Sequence, residues 1–111
     1  MFEFTPRQMQ VLERLVGAGF RPIAIPPYES ALCMHRGECA VVLAPVENGG
    51  LKIIAPPSVL IDGHFGVRLK RSPGDVFVWK QTEVAATPQL LEDLNIFRRE
   101  LNEILELPAS I

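Results

Sequence analysis

The feature that most constrains this fold is a long central segment whose turn signals follow one another too closely for parallel strands. Between Pro22 and Gln81 they fall at Arg36-Gly37, Asn48-Gly49-Gly50, Asp62-Gly63 and Ser72-Pro73-Gly74-Asp75. Parallel strands need a crossover of about a dozen residues or more, whereas antiparallel neighbours can be joined by a tight turn. The sequence therefore predicts an antiparallel meander in this segment.

The strands expected between these turns differ in which faces they bury. We predict strands at Tyr28–His35, Glu38–Val46, Leu51–Ala55, Val59–Ile61, Phe65–Arg71 and Val76–Gln81. Phe65–Arg71 alternates apolar and polar residues, which predicts one buried and one solvated face. Cys39–Leu43 and Val76–Trp79 are apolar throughout, which predicts strands covered on both faces. The pairs Pro26-Pro27 and Pro56-Pro57 lack amide donors and are expected at strand boundaries or an edge.

A helix is expected on each side of this segment. Thr5-Pro6 followed by Gln8 is the pattern of a capping box with proline at the first helical position. Gly17 and Gly19 predict the end of that helix. At the other end, Thr87-Pro88 starts a helix predicted to run to about Leu107, with an apolar stripe at helical spacing formed by Leu90, Leu94, Phe97, Leu101 and Ile104.

These elements predict a single α+β domain over residues 1–111: an N-terminal helix, an antiparallel meander sheet of five to six strands and a long C-terminal helix. The alternative is a small bent β-barrel capped by the helices. The residues expected in the core are Met9, Leu12, Leu15, Val16, Leu32, Val41, Leu43, Ile53, Phe65, Val67, Leu69, Val78, Leu94, Phe97 and Leu101.

Composition narrows the class of protein and its location. The chain has 48% hydrophobic and 22% charged residues, which is ordinary globular usage. No apolar run approaches the roughly 18 residues of a membrane span, and the N-terminus has neither the basic leader nor the apolar region of a signal peptide. Two cysteines are too few for a disulfide scaffold and suit a reducing compartment. We therefore expect a cytoplasmic protein that contacts no membrane.

The densest group of reactive side chains lies around the Arg36-Gly37 turn. Cys33, His35 and Cys39 are candidates for a metal site or a thiol-dependent activity, and His64 is the other histidine that could join them. A turn with Gly37 as a bulge residue would place Cys33 opposite Cys39, whereas a two-residue Arg36-Gly37 turn would put the thiols on opposite faces. The alternative role for both cysteines is that of small buried hydrophobes.

A second candidate surface is a group of basic residues in the middle of the chain. Net charge is −2, but segment 52–80 is mildly basic and segment 81–111 is acidic. Lys52, Arg68, Lys70 and Lys80 could form a basic sheet face for nucleic acid. The nearest aromatics, Phe77 and Trp79, alternate with Lys80 and so point to the other face, which makes nucleic-acid binding the less favoured interpretation.

The favoured function is a non-enzymatic protein-interaction or assembly module that forms a homodimer, without a cofactor. The sequence contains no phosphate-binding glycine loop and no hydrolase or zinc-protease motif, so nothing in it indicates catalysis. The predicted C-terminal helix is about 30 Å long and would overhang a small sheet. An exposed apolar end of this kind is typical of a contact surface, and the interface is expected at Ile104, Leu105, Leu107 and Ile111.

Overall fold

The part of the chain that the structure describes folds into two helices and two antiparallel sheets. The computed structural model describes residues 4–28, 30–46, 49–72 and 74–105. In chain order the elements are α1 (Pro6–Gly17), β1 (Arg21–Ile23), β2 (Leu32–Arg36), β3 (Cys39–Pro45), β4 (Leu51–Ile61), β5 (His64–Phe65), β6 (Val67–Leu69), β7 (Val76–Trp79), β8 (Thr82–Ala85) and α2 (Pro88–Leu105). The predicted α+β class, with antiparallel strands between two helices, is confirmed.

The strands form two sheets where a single meander was expected. One sheet has five strands in the order β1-β2-β3-β4-β5, and the other has three in the order β6-β7-β8. Within the described residues, the sheets do not close into a barrel. The predicted strand Phe65–Arg71 is divided at Gly66, which lies between β5 and β6. The predicted strand Val76–Gln81 becomes β7 alone, because a turn at Lys80-Gln81 leads into β8.

Three hairpins use two-residue turns whose first residue has a positive φ. Asp62 (φ 51°) and Gly63 (φ 77°) are both left-handed, as in the type I′ turn that matches the twist of paired strands. Gly37 (φ 61°) opens the β2–β3 turn, and Lys80 (φ 53°) opens the β7–β8 turn. A lysine is unusual in this region, because its Cβ crowds the backbone there. For this reason no local pattern predicted the turn at Lys80-Gln81 that leads into β8.

The β2–β3 register differs from both registers considered in the sequence analysis. Arg36 pairs with Cys39, so the turn consists of Gly37 and Glu38, and Cys33 lies opposite Val42. Both expected registers were wrong, because each placed Arg36 in the turn, whereas Arg36 is the last residue of β2. The observed turn gives the positive φ to glycine, which adopts it without steric cost.

β4 runs continuously through the proline pair that was expected to end a strand. The register of β4 against β3 pairs Ala40 with Ser58 and Val42 with Ala55, so Pro56 and Pro57 together oppose the single residue between them on β3. This irregularity is a β-bulge, in which the extra residue makes no ladder hydrogen bond. Two residues without amide donors can therefore lie within a long strand.

The main core lies between one face of the five-stranded sheet, the two helices and one face of the three-stranded sheet. Its buried members are Val11, Leu15, Phe20, Leu32, Met34, Cys39, Val41, Leu43, Leu51, Val59, Ile61, Phe77, Leu94, Phe97, Leu101 and Leu105. The apolar stripe predicted for α2 is confirmed at Leu94, Phe97 and Leu101. Phe97 packs on Phe20 with ring centroids 5.1 Å apart.

α1 turns a different face to this core than its sequence suggested. The predicted capping box is present, with the Gln8 amide donating to Thr5 Oγ1 and the Thr5 amide donating to Gln8 Oε1. Gln8 is itself buried and its Nε2 donates to the Val46 carbonyl, so Gln8 lies on the inward face of α1. Met9 and Val16, expected in the core, are therefore 44% and 43% exposed.

The opposite face of the five-stranded sheet carries a smaller core. Ile25, Cys33, Ala40 and Val42 are buried there. The loop that includes Tyr28 helps to cover them, and the Tyr28 ring meets the Phe65 ring edge-on with centroids 5.9 Å apart. β3 is thus buried on both faces, as its continuous apolar sequence predicted.

Among the described residues, the three-stranded sheet is covered on one face only. Phe77 on β7 is buried in the main core, with Trp79 and Val84 packed beside it. Val67 and Leu69 were predicted to be buried but are 59% and 39% exposed. The reason is that Arg68 pairs with Phe77, so that Arg68 shares the inner side of the sheet with Phe77. Since side chains alternate along a strand, Val67 and Leu69 lie on the outer side.

Candidate functional site

A concave surface lies between the β2–β3 hairpin and α2. This cleft has a volume of about 390 Å³ and is lined by Arg36, Gly37, Glu38, Cys39, Leu90, Asp93, Ile96 and Phe97. A second depression of about 380 Å³ adjoins it, sharing Glu38, Leu90 and Asp93. Volumes of this size fall in the lower part of the range of small-ligand pockets, about 300–1,000 Å³.

Two local sequence signals place the walls of the cleft. The positive φ of Gly37 turns the chain sharply, so that Glu38 lies at the tip of the hairpin. On the other side, Thr87 Oγ1 accepts a hydrogen bond from the Leu90 amide (3.1 Å) and caps the start of α2. The next turn of that helix carries Asp93, which therefore lines the cleft together with Leu90.

Arg36 lines the cleft, but its charge is already engaged. Its Nη1 donates to Glu100 Oε1 at 2.8 Å and to the Ala18 carbonyl at 3.1 Å. The guanidinium carbon lies 4.5 Å from the centroid of the buried Phe20 ring, a cation–π contact. Arg36 therefore ties the hairpin to α2 and to the end of α1, and its charge is balanced by Glu100.

The remaining charge of the cleft is negative. Asp93 Oδ1 accepts a hydrogen bond from Gln89 Nε2 at 2.8 Å. Among the described residues no Lys, Arg or His nitrogen lies within ion-pair distance of either Asp93 or Glu38. Two carboxylates thus face a partly apolar cleft without a cation to balance them.

Cys39 lies at the base of the cleft and is only 4% exposed. Burial raises the pKa of its thiol, and the charges of Asp93 and Glu38 raise it further, while Arg36 opposes them. Since the reactive form of cysteine is the thiolate, these surroundings suppress its nucleophilicity at neutral pH. The cleft is therefore poorly suited to thiol catalysis.

The four candidate metal ligands are not brought together. Cys33 lies on the opposite sheet face from Cys39, and its Sγ is 3.6 Å from the Tyr28 carbonyl. The Nδ1 of His35 lies 3.3 Å from the Gly37 carbonyl, and His64 belongs to another hairpin. Among the described residues, no group of three or more His, Cys, Asp or Glu side chains could hold a metal ion.

His64 instead stacks on Trp79, a contact that the sequence analysis did not predict. The ring centroids are 4.2 Å apart with an interplanar angle of 9°. His64 Nδ1 lies 2.9 Å from the Asp62 carbonyl, which fixes the ring orientation. Lys80 Nζ lies 5.5 Å from the Trp79 centroid. The contact joins two hairpins from different sheets, and no local sequence signal indicates such a pair.

The basic residues do not form one strip. Lys52 lies on β4 in the five-stranded sheet, whereas Arg68 lies on β6 in the three-stranded sheet. Arg68 Nη2 is paired with Asp75 at 3.0 Å, and Arg71, which follows β6, is paired with Glu83 at 2.8 Å. Lys70 and Lys80 are exposed at the ends of strands.

The aromatic rings are poorly placed for a nucleic-acid surface. Phe77, directly opposite Arg68, is 1% exposed, so it is not available to stack on a base. Trp79 is covered by the His64 ring on one side. Single-strand binding surfaces combine basic residues with open aromatic faces, and the described residues offer the two in separate places.

The uncovered face of the three-stranded sheet is apolar. It consists of the paired residues Val67 and Val78 and the row formed by Leu69, Val76 and Ala85. We call these five residues the outer face. Glu83 on β8 lies opposite Val78 on the same face, and its ion pair with Arg71 links β8 to the segment that follows β6. The alternation of strand side chains places this face opposite Phe77.

The residues expected to form an interface on α2 have other positions. Leu105 is 6% exposed and belongs to the main core, and Ile104 is half-buried against that core. Leu107 and Ile111 lie outside the described residues. The described end of α2 therefore presents neither Ile104 nor Leu105 as a fully exposed apolar residue.

Comparison with models of known protein families found no match, and comparison with curated proteins and with solved structures found none either. In the described part of the chain, neither helix is long and apolar enough to cross a membrane.

Proposed function

We propose that this protein is a non-enzymatic interaction module that associates with a second copy of itself through the outer face. The observation that carries the proposal is the exposure of Val67 (59%) and Leu69 (39%) beside Val76 and Val78, on a sheet whose other face is buried. Covering apolar surface stabilises an assembly by about 25 cal/mol per Å². An exposed apolar cluster rimmed by charged residues is typical of a contact surface.

A second copy is the occupant favoured by the charges beside the apolar residues of the outer face. Arg71 and Glu83 lie there with opposite signs, 2.8 Å apart. In a twofold dimer the same patch meets itself, so each Arg71 can approach Glu83 of the partner while the apolar residues meet at the centre. A patch that carries both signs is self-complementary in this arrangement.

The size of the outer face determines the expected affinity of the dimer. Its strands have three or four residues each. With about 3.3 Å per residue and 4.8 Å between strands, the face covers under about 200 Å². Stable interfaces bury about 800 Å² per partner, so we expect a reversible dimer with a dissociation constant of roughly 100 μM or weaker.

Two further observations support the rest of the proposal. The raised pKa of Cys39 and the separation of the candidate ligands favour a non-enzymatic role. We also propose a cytoplasmic location, supported by two cysteines that lie on opposite faces of the sheet and form no disulfide.

Sedimentation velocity over a concentration series, up to about 1 mM, tests self-association. We expect the average mass to rise above 12.3 kDa as concentration increases. Val67→Glu should abolish the rise, because it would bury an unpaired carboxylate from each copy in the apolar interface. Val16→Glu is the matched control, since Val16 is an exposed valine on α1, away from the outer face.

Two results would refute the proposal. One is an average mass that stays at 12.3 kDa over the whole series. The other is an association that Val67→Glu and Val16→Glu weaken equally, which would show that the contact is not specific to the outer face.

A further inference from the structure

We propose that the cleft between the β2–β3 hairpin and α2 binds an alkylammonium group, that is, a protonated amine on an apolar stem. This inference goes beyond the proposed self-association, which involves a different surface. It rests on the charge at the mouth of the cleft, the apolar character of its walls and the state of the thiol at its base.

The charge at the mouth selects for a cation. Glu38 and Asp93 line the cleft together, one from the hairpin tip and the other from α2. Arg36, the basic residue of the lining, is held by Glu100 at 2.8 Å. A bound ammonium would have two carboxylates within reach, and charge-assisted hydrogen bonds to carboxylate are stronger than neutral ones.

The walls select for an apolar stem. Leu90 and Ile96, both half-buried, line the cleft with aliphatic surface. A hydrated inorganic cation would leave this surface without a partner, whereas an alkyl chain of a few carbons would cover it, each buried CH₂ contributing about 0.8 kcal/mol. The volume of about 390 Å³ accommodates such a chain with its charged end at the carboxylates.

The base of the cleft holds a polar group without a hydrogen bond. The Cys39 thiol is 4% exposed, lines the cleft and has no hydrogen-bond partner among the described residues. Its pKa is raised by burial first and then by the charges of Asp93 and Glu38, while Arg36 lowers it, so the two carboxylates act at the base of the cleft as well as at its mouth. An anionic ligand would be repelled there, and a cation would be attracted.

The test is a titration of the ¹⁵N-labelled protein followed by amide chemical shifts. The probes are n-pentylamine, n-pentanol and pentanoate, which share an apolar stem and differ in the charge of the end group. We expect n-pentylamine to shift the amides of Gly37, Asp93 and Ile96, with pentanol at least about fivefold weaker and pentanoate without effect. Equal binding of pentanol, or no localised shift with n-pentylamine up to about 50 mM, would overturn the proposal.

Charge-neutral variants locate the site. Glu38→Gln and Asp93→Asn should each weaken n-pentylamine about fivefold, the loss expected when one charge partner of a partly exposed pair is removed. Glu103→Gln is the control, because Glu103 is an exposed carboxylate of α2 outside the cleft lining. Well-dispersed amide spectra confirm that each variant is folded. An equal loss in Glu103→Gln would show a general charge effect and refute the site.

A last pair of probes separates the two sources of an alkylammonium group. Free diamines are represented by 1,5-diaminopentane, and protein lysines are represented by a blocked tripeptide with central lysine. Binding of either at the same amides supports the proposal, and the tighter of the two identifies the source. If n-pentylamine shifts these amides and both larger probes fail, the cleft cannot admit a natural amine, which overturns the proposal.

Discussion

Gly66 is the position at which a single methyl group should most clearly disturb this fold. It is buried between β5 and β6, where the chain passes from the five-stranded sheet to the three-stranded sheet. Its amide donates to the Val59 carbonyl at 2.8 Å, and its carbonyl accepts from Ser58 Oγ at 2.8 Å. The perturbation Gly66→Ala keeps both backbone groups and adds only a Cβ.

The cost follows from the atoms that this Cβ would meet. They are Ile61 Cδ1 at 3.0 Å, Phe77 Cβ at 3.2 Å and the Val59 carbonyl oxygen at 3.2 Å. The Ile61 methyl can rotate away, but the other two belong to the frames of β7 and β4 and move only if the strands separate. Overpacking of this kind costs typically about 1–3 kcal/mol, and we expect about 2 kcal/mol here.

Urea unfolding, followed by Trp79 fluorescence and by circular dichroism, measures this cost. In a chain of this size about 2 kcal/mol corresponds to a fall in Tm of roughly 10 °C. Gly74→Ala is the control, because a Cβ at Gly74 meets nothing within 4 Å and its φ lies outside the left-handed region. A Gly66→Ala protein within about 0.5 kcal/mol of the wild type, or an equal loss in Gly74→Ala, would refute the steric argument.

Two further predictions concern buried polar groups. Gln8→Ala removes the two hydrogen bonds of the buried amide, one accepted from the Thr5 amide and one donated to the Val46 carbonyl. At about 1 kcal/mol for each bond we expect a loss of about 2 kcal/mol in urea unfolding, against under about 0.5 kcal/mol for the exposed Gln10→Ala. Equal losses would contradict the role of the buried amide. The folded state holds the pKa of the Cys39 thiol above its ordinary value of 9.0, so the folded protein keeps a proton that the unfolded chain releases. The free energy of unfolding should therefore fall as pH rises above about 9, and this fall should be smaller in Cys39→Ala. Parallel pH curves for the two proteins, measured from pH 7 to 10, would contradict this expectation.

The sequence determined those elements whose signals act over a few residues. The capping box of α1 joins Thr5 to Gln8 across one helical turn, so its hydrogen bonds form wherever the helix forms. The apolar spacing of α2 selected the face that is buried, since one face of a helix recurs every three to four residues. The turn at Asp62-Gly63 was equally local, because both residues tolerate a positive φ.

Register and sheet assignment were decided by the tertiary structure. A strand pattern has period two, so a shift by one residue exchanges its faces, and the sequence near Gly37 permits several turns. The observed register buries Met34 and Val41 together against the helices, a contact that no local pattern encodes. Likewise, Val67 and Leu69 have the alternation of a buried face, but Phe77 occupies the inner side.

The candidate site depends almost wholly on long-range contacts. Arg36 and Glu100 are 64 positions apart, and their ion pair and the packing of Phe97 on Phe20 are among the contacts that hold α2 beside the hairpin. The sequence identified Cys39 as a reactive candidate from its neighbours along the chain. Which groups surround the thiol, and hence the direction of its pKa shift, depends on distances between elements, because desolvation and charge act through space.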